Sequence, residues 1–280
     1  MTNAALERFR TLVDRPDETI DLAEAALAIA QQDYPDLEPR RYLDMLGALA
    51  LEVSRSLPAV AEITDRIAAL NRHLFGTLRF RGNDAEYYDP RNSFLNQVLD
   101  RRTGIPITLS VVYLEVGWRL GLPLEGVSFP GHFLVKCEVQ EGVVVLDPFD
   151  RGRSVGVDEL KRRLTLVHGR AVTEEEVVTL LTTTATRKDI LARLLRNLKA
   201  IYLNRPDYAA ALAVVERILM VHPDEPAELR DRGIIFQSLE CFRAARDDLE
   251  RYLQLVPQAL DAGTVRERLA EVSERVVRLN

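Results

Sequence analysis

The amino-acid sequence predicts an α+β fold that is mostly helical, followed by an all-α domain of repeats. Three observations lead to this prediction: helical periodicity near the N-terminus, a buried helix followed by short β-rich runs, and a repeat in the C-terminal third. The 280 residues are enough for one large or two medium-sized domains. We therefore predict an α+β domain at 1–180, with its core at 76–165, and a repeat domain at 181–280.

The composition limits the classes of function. With 47% hydrophobic and 29% charged residues, the chain has the profile of a globular protein. Its net charge of −6 argues against nucleic acid as a partner, because phosphate binding requires a basic surface. Arg101-Arg102 and Lys161-Arg162-Arg163 are the candidates for a local basic patch. Two cysteines provide neither a disulfide framework nor a zinc site, and no pattern indicates a metal or a cofactor.

The sequence shows no sign of a membrane segment or an export signal. It contains no run of about 18 apolar residues, which predicts that no helix spans a membrane. The first residues are charged and lack the apolar stretch of a signal peptide. We therefore expect a cytoplasmic protein.

Four helices are predicted before the core. They cover residues 4–13, 18–32 and 39–56, and a stretch that opens at Pro58. Asp14 and Asp17 are the start signals of the second helix, and Val60 and Ile63 are expected to face inward in the fourth. Because each helix carries an apolar stripe, we interpret the four as a subdomain that packs on the core.

A polar loop and a short helix connect this subdomain to the core. Residues 76–89 read as a loop, and the helix over 92–102 is predicted to end at Gly104. Asn83 and Asn92 are candidates to line the same cleft as the core residues, although turn and cap roles explain them more simply.

The apolar segment Ile107–Leu120 is the centre of the predicted fold. Pro106 suits the first turn of a helix, and the segment leaves almost no polar face, so the helix must lie inside the domain. Glu115 is the exception, and a buried carboxylate needs a partner. We expect Arg101 or Arg102 to supply it.

Three short β-rich runs follow this helix. They are Gly126–Phe129, His132–Val139 and Val143–Leu146. A turn at 140–142 predicts that the last two form an antiparallel hairpin. His132 begins one strand and Asp147 follows the other, so the two should lie opposite each other within about two residues of register. A carboxylate at that position orients an imidazole.

The C-terminal third repeats with a period of 34 residues, which is the tetratricopeptide period. The repeat aligns Leu195 with Leu229, Tyr202 with Phe236, Ala211 with Ala245, and Pro223 with Pro257. Small alanines allow two helices to approach closely, and the prolines end the second helix of each unit. Val265–Leu279 is predicted to be a capping helix. Arrays of this kind bind proteins through a concave face.

Four sequence blocks carry a resemblance to a known family. They are Asp89–Asn96, Leu99–Ile107, Phe129–Val135 and Asp147–Phe149. In this order they resemble the bacterial SirB-type family, which joins a transglutaminase-like, papain-type core to tetratricopeptide repeats. The resemblance implies a nucleophilic cysteine at the N-terminus of the buried helix, and that position falls near Pro106. The only cysteines are Cys137 and Cys241, so the thiol half of the mechanism is missing while the His–Asp half is present.

Our first interpretation is therefore a non-catalytic protein, with His132 and Asp147 as the remains of a catalytic site. The repeats would bind a protein or a peptide, and the resemblance implies a regulatory role. The sequence names no partner and gives no oligomeric state. A metal site at the pair is not favoured, because nothing clusters around it at ligand spacing.

An amide or ester hydrolase, or an acyl transferase, is the alternative. It would use Ser110 or Cys137 as the nucleophile, with His132 and Asp147 as its partners. Cys137 lies five residues after His132 in the same predicted strand, which directs the two side chains to opposite faces. Ser110 would need a base within hydrogen-bond reach and an oxyanion hole, and the sequence shows neither. A cleft that binds peptide ends without cutting them is a third, minor option.

Overall fold

The computed structural model describes residues 3–278. The chain divides into two compact units, with the division between Leu194 and Leu195. The first unit is α+β and the second is entirely helical. The predicted fold class, a mostly helical α+β domain followed by helical repeats, is confirmed. Across the described part of the chain, every helix is too short or too polar to cross a bilayer.

Four helices come first in the chain. They are α1 (Asn3–Val13), α2 (Leu22–Ala30), α3 (Pro39–Arg55) and α4 (Ile63–Asn71). Helix α2 begins later than predicted, because Asp21 caps it by accepting a hydrogen bond from the Glu24 amide at 2.8 Å. Asp17 has a different role from the predicted start signal. Its carboxylate accepts hydrogen bonds from the amides of Arg187 and Lys188, both at 2.9 Å, and so caps a later helix.

Helix α4 also differs from the prediction at its start. It begins after Glu62, which forms a capping box with Asp65, rather than at Pro58. The inward position predicted for Val60 is wrong, because this residue precedes the helix and is 86% exposed. A turn of π-helix at Arg72–Thr77 continues α4 into the segment predicted to be a loop.

The central helix of the first unit is α6 (Pro106–Arg119), and all its residues from Pro106 to Gly117 are buried. The predicted buried helix is thus confirmed. It follows helix α5 (Leu95–Arg101) and two short strands that pair in parallel, β1 (Arg81–Gly82) and β2 (Thr103–Gly104). Gly104 does not end α5 as predicted. Arg102 ends it in a left-handed conformation, with φ of 55°.

A four-stranded antiparallel sheet packs on α6. Its strands, in spatial order, are β3 (Leu124–Val127), β4 (Leu134–Val139), β5 (Gly142–Asp147) and β6 (Arg153–Ser154). The predicted hairpin of β4 and β5 is confirmed, with Val135 opposite Leu146. Gly117 of α6 lacks a side chain where Leu124 of β3 contacts the helix, which allows this close approach.

The other face of the sheet is covered by α7 (Val157–His168) and α8 (Glu174–Thr182). These elements share one apolar cluster, which includes Val127, Leu134, Val145, Leu160, Leu164 and Val177. Helix α8 was not predicted, because its exposed side is a run of glutamates. Thr173 starts it through a capping box with Glu176.

The boundary between the two units lies within helix α9 (Arg187–Asn204), and the second unit begins at Leu195 of this helix. Four more helices follow: α10 (Tyr208–Val221), α11 (Pro226–Ser238), α12 (Phe242–Leu255) and α13 (Ala262–Arg278). The predicted two-helix repeats are confirmed. Gly233 of α11 lies against Leu249 and Ala245 of α12, where small residues let the helices approach. Helix α13 is the predicted capping helix, although Leu279 lies outside the described residues.

Candidate functional site

The two ends of the β4–β5 hairpin bring His132 and Asp147 together. His132 lies two residues before β4, after a turn in which Gly131 has φ of +70°. Asp147 is the last residue of β5. The distance between His132 Nε2 and Asp147 Oδ1 is 2.8 Å, so the contact expected from the hairpin register is present. The catalytic role of the pair stays a prediction.

Asp147 is buried, and its carboxylate accepts other hydrogen bonds besides its contact with the imidazole. Its Oδ1 also accepts hydrogen bonds from the amides of Phe149 and Asp150, at 3.1 and 3.3 Å. Its Oδ2 accepts one from Arg163 Nη1 at 2.8 Å. Burial raises the pKa of Asp147, but the hydrogen bonds and charges of His132 and Arg163 outweigh burial and bring the pKa below its ordinary value.

Arg163 is a member of the site that sequence reasoning missed. It lies on α7 and also bonds Glu159 Oε1 through Nη2 at 2.6 Å. Arg153 of β6 bonds the same carboxylate at 2.8 Å, and its hydrogen bond is the main reason that the pKa of Glu159 is lowered to about 2. The only signal for Arg163 in the sequence is its i, i+4 spacing with Glu159, and the basic run Lys161-Arg162-Arg163 obscures it.

The contact with Asp147 leaves one nitrogen of the His132 ring available. Among the described residues, Nδ1 of His132 has no hydrogen-bond partner. The ring of Phe149 lies edge-on to the imidazole, with the ring centres 5.8 Å apart. Because Nε2 faces the carboxylate, this histidine would accept a proton at Nδ1.

No hydroxyl of α6 forms a hydrogen bond with that nitrogen. Pro106 occupies the first turn of the helix. Thr108 Oγ1 donates to the Asn92 carbonyl at 2.7 Å. Ser110 Oγ is buried and has no hydrogen-bond partner within the described part of the chain. The structure thus brings His132 and Asp147 together and does not join Ser110 to them.

Within the described residues, Cys137 forms no hydrogen bond with His132 or Asp147. Cys137 lies in the middle of β4, opposite Leu124 and Val144, and is fully buried. Burial raises the pKa of its thiol, which disfavours the reactive thiolate. Cys241 is exposed and precedes α12 in the repeat unit.

Glu115 has a different partner from the predicted one. Arg119, one turn later on α6, bonds its carboxylate, whereas Arg101 and Arg102 do not. Its Oε1 also accepts a hydrogen bond from the Ala23 amide at 3.0 Å, which ties the start of α2 to α6. Burial raises the pKa of this carboxyl. Its role is therefore structural, as expected.

Two asparagines lie beside the N-terminus of α6. Asn83 Nδ2 donates to Asn92 Oδ1 at 3.1 Å, and Asn92 Nδ2 donates to the Glu86 carbonyl at 2.7 Å. These bonds fix the loop before α5. Within residues 3–278, no group of three or more potential metal ligands was found.

The repeat unit has a groove at one end. It has a volume of about 750 Å³. Its lining comes from the end of α11, the start of α12 and the second half of α13, and includes Ser238, Glu240, Phe242, Glu271, Glu274 and Arg275. Lys199 of α9 does not line this groove. Its ammonium group bonds the carboxylates of Glu228 and Asp231, at 2.7 and 2.6 Å. That lysine stabilises the packing of α9 and α11.

Comparisons with known proteins agree with this arrangement. A family model described as transglutaminase-like superfamily matches residues 40–196, and a tetratricopeptide repeat model matches residues 198–270. A UPF0162 protein of Xylella fastidiosa is 43% identical over 275 residues, which are 97% of each chain. UPF0162 protein YchA of Escherichia coli is 26% identical over 97% of this chain and 100% of its own length. F-box only protein 21 of Mus musculus is 43% identical over 99 residues, which are 32% of this chain and 16% of that protein.

Proposed function

Because the chain belongs to the transglutaminase-like superfamily and to the UPF0162 proteins, we propose that it is a non-catalytic protein-interaction module. Its transglutaminase-like domain serves as a scaffold, and its tetratricopeptide repeats bind a protein partner. Membership of the SirB-type family, a regulatory role and a cytoplasmic location are parts of the same proposal.

One observation carries the non-catalytic part of the proposal. No thiol or hydroxyl of the described residues forms a hydrogen bond with the His132 ring. Acyl transfer through a covalent intermediate needs a nucleophile that a base can deprotonate. Pro106 stands near the helix position where the family resemblance implies cysteine. The contacts of Asp147 support a structural role for the pair, because they join β5, α7 and the turn after β5.

The groove of the repeat unit supports the interaction part. Its lining carries Glu240, Glu271 and Glu274 together with Arg275 and Arg278, and Arg278 lies 3.7 Å from the Glu274 carboxylate. Phe242 adds an aromatic side chain to the lining. Surfaces that combine polar or charged side chains with aromatic ones are typical of protein-binding sites. We propose that the partner docks in this groove with a basic segment that faces Glu240 and Glu271, because Arg278 pairs with Glu274.

The alternative is a hydrolase or acyl transferase that uses Ser110 or Cys137. It is supported by the 2.8 Å contact of His132 with Asp147, which leaves Nδ1 available as a base. For this reaction the chain would have to rearrange so that a buried side chain reaches the imidazole.

Covalent labelling separates the two candidates. We expect that a panel of serine-reactive and thiol-reactive acyl probes labels the native chain only at Cys241, because Ser110 and Cys137 are buried. The experiment therefore uses a Cys241→Ser background, in which no labelling should remain, and mass spectrometry locates any adduct. Cys137 should react only after unfolding, which provides a positive control for the probe.

The variant His132→Ala decides the interpretation of any residual signal. Labelling of Ser110 or Cys137 in the folded chain that disappears in His132→Ala would establish the enzyme. Labelling that is the same in both chains reports only on local opening of the structure.

Partner binding is tested by two charge reversals on α13. Both Glu271 and Glu267 are exposed, but only Glu271 lines the groove. We expect the full-length chain to retain a protein from a lysate of its own organism, with binding weakened about tenfold by Glu271→Lys and unchanged by Glu267→Lys. Affinity is then measured with the purified partner.

A second control links the two parts of the proposal. The variant His132→Ala should still bind the partner, because the proposal gives the His132–Asp147 pair no part in binding. Equal binding by Glu271→Lys and the wild-type chain would exclude the groove as the docking site.

A further inference from the structure

Five arginines surround one cavity in the first unit. The cavity has a volume of about 620 Å³. The arginines that line it are Arg79, Arg81, Arg101, Arg102 and Arg151. None of its lining residues, within the described part of the chain, carries a carboxylate. Such a concentration of positive charge is unexpected in a protein whose net charge is −6.

Most of this charge lacks a counter-ion in the protein. Among the described residues, Arg79, Arg81 and Arg151 form no ion pair. Arg101 is 3.8 Å from Asp89, but Arg91 binds the same carboxylate more closely, at 2.6 Å. Elsewhere in this unit, carboxylates neutralise clustered arginines, as Glu159 does for Arg153 and Arg163. The difference indicates that the counter-charge of the cavity comes from a ligand.

The backbone provides an independent argument. Three of the five arginines have positive φ: 60° at Arg79, 55° at Arg102 and 56° at Arg151. Glycine and asparagine adopt this conformation more easily than arginine. The chain thus places arginine at three positions where a smaller residue would be favoured for the fold. This pattern is expected where the side chain itself is required.

Fixed elements hold the arginines in place. Arg81 belongs to β1, and its amide donates to the Arg102 carbonyl at 3.0 Å. Arg151 follows the turn that Asp147 caps, and the next residue, Gly152, accepts a hydrogen bond from Asn71 Nδ2 at 2.9 Å. The Asp147 contacts therefore also position one side of the cavity.

We propose that this cavity binds a small metabolite that carries at least two phosphate groups. Guanidinium groups bind phosphate oxygens through two parallel hydrogen bonds, and five of them exceed what a single phosphate can neutralise. The volume lies in the range of about 300–1,000 Å³ that is usual for small-molecule sites. Phe75 and Leu78, which are half-buried residues of the lining, offer contact to an apolar part of the same ligand.

Calorimetry with inorganic tripolyphosphate tests the site on the full-length chain. We expect saturable binding of one tripolyphosphate per chain, which weakens as salt rises from about 50 mM to about 200 mM. The double variant Arg79→Asn/Arg151→Asn should bind at least about tenfold more weakly, because two charge-assisted contacts are lost. Since asparagine tolerates positive φ, this variant should keep the wild-type unfolding midpoint or exceed it.

A matched control removes two charges elsewhere. Arg15 and Arg162 are exposed and do not line the cavity, so Arg15→Gln/Arg162→Gln should bind tripolyphosphate like the wild-type chain. Equal weakening by both double variants would overturn the proposal, because it would show general electrostatic attraction. Absence of binding at millimolar tripolyphosphate would also overturn it. So would a glutamate-rich peptide that binds more tightly than tripolyphosphate, because the cavity would then receive a protein segment.

Discussion

Replacing Asp147 by alanine is expected to lower the free energy of unfolding by about 3 kcal/mol, because four hydrogen bonds to a buried carboxylate are lost. The variant leaves Arg163 with Glu159 alone and frees two amides after β5. Urea unfolding monitored by the single tryptophan, Trp118 of α6, reports on the unit that contains the site. An effect below about 1 kcal/mol would contradict the structural role that we assign to this carboxylate.

Asp147→Asn separates the charge from the hydrogen bonds. Because the folded pKa of Asp147 is below its ordinary value of 3.8, the stabilisation by its charge is present above that value. It is lost as the pH falls through the folded pKa. The stability difference between the wild-type chain and Asp147→Asn should therefore be present above about pH 5 and shrink in more acidic solution. A difference that does not change with acidity would show that the charge contributes nothing.

The site was predictable where local rules apply. His132 and Asp147 lie at the ends of a hairpin, so strand alternation and a short turn were enough to place one beside the other. Arg163 reaches them from α7, and helix packing on a sheet is not determined by local sequence. The partner of Glu115 is different in kind, because it is local: Arg119 lies one turn along the same helix, an i, i+4 spacing that the sequence shows, whereas Arg101 precedes the helix.

The arginine cavity shows where sequence reasoning fails. Arg79, Arg81 and Arg151 are isolated along the chain, and only Arg101-Arg102 was visible as a basic run. Their convergence depends on the parallel pairing of β1 with β2, strands of two residues each that are too short to leave a periodic signal. The left-handed backbone conformation of these arginines cannot be predicted either, because residue preferences predict it at glycine and asparagine. The repeat unit was easier to predict from the sequence, because its 34-residue repeat occurs twice.

Replacing Asp248 by alanine should produce the second large loss of stability, about 2–3 kcal/mol, in the repeat unit. Asp248 of α12 is buried and accepts two hydrogen bonds from Arg232 of α11, both at 2.7 Å. Its removal leaves the Arg232 guanidinium partly buried without its carboxylate, and an isolated buried charge is costly. Far-UV circular dichroism during urea unfolding measures the loss, since this unit is entirely helical.

The double variant Arg232→Met/Asp248→Met distinguishes a lost ion pair from lost packing. Arg232 lies over the ring of Phe236, 5.8 Å from its centre, and methionine can make a similar apolar contact there. Because removing both charges also removes both desolvation costs, we expect the double variant to recover most of the stability that Asp248→Ala loses. If it is as unstable as Asp248→Ala, the pair itself stabilises the repeats. The bidentate geometry would then contribute more than the apolar surface that could replace it.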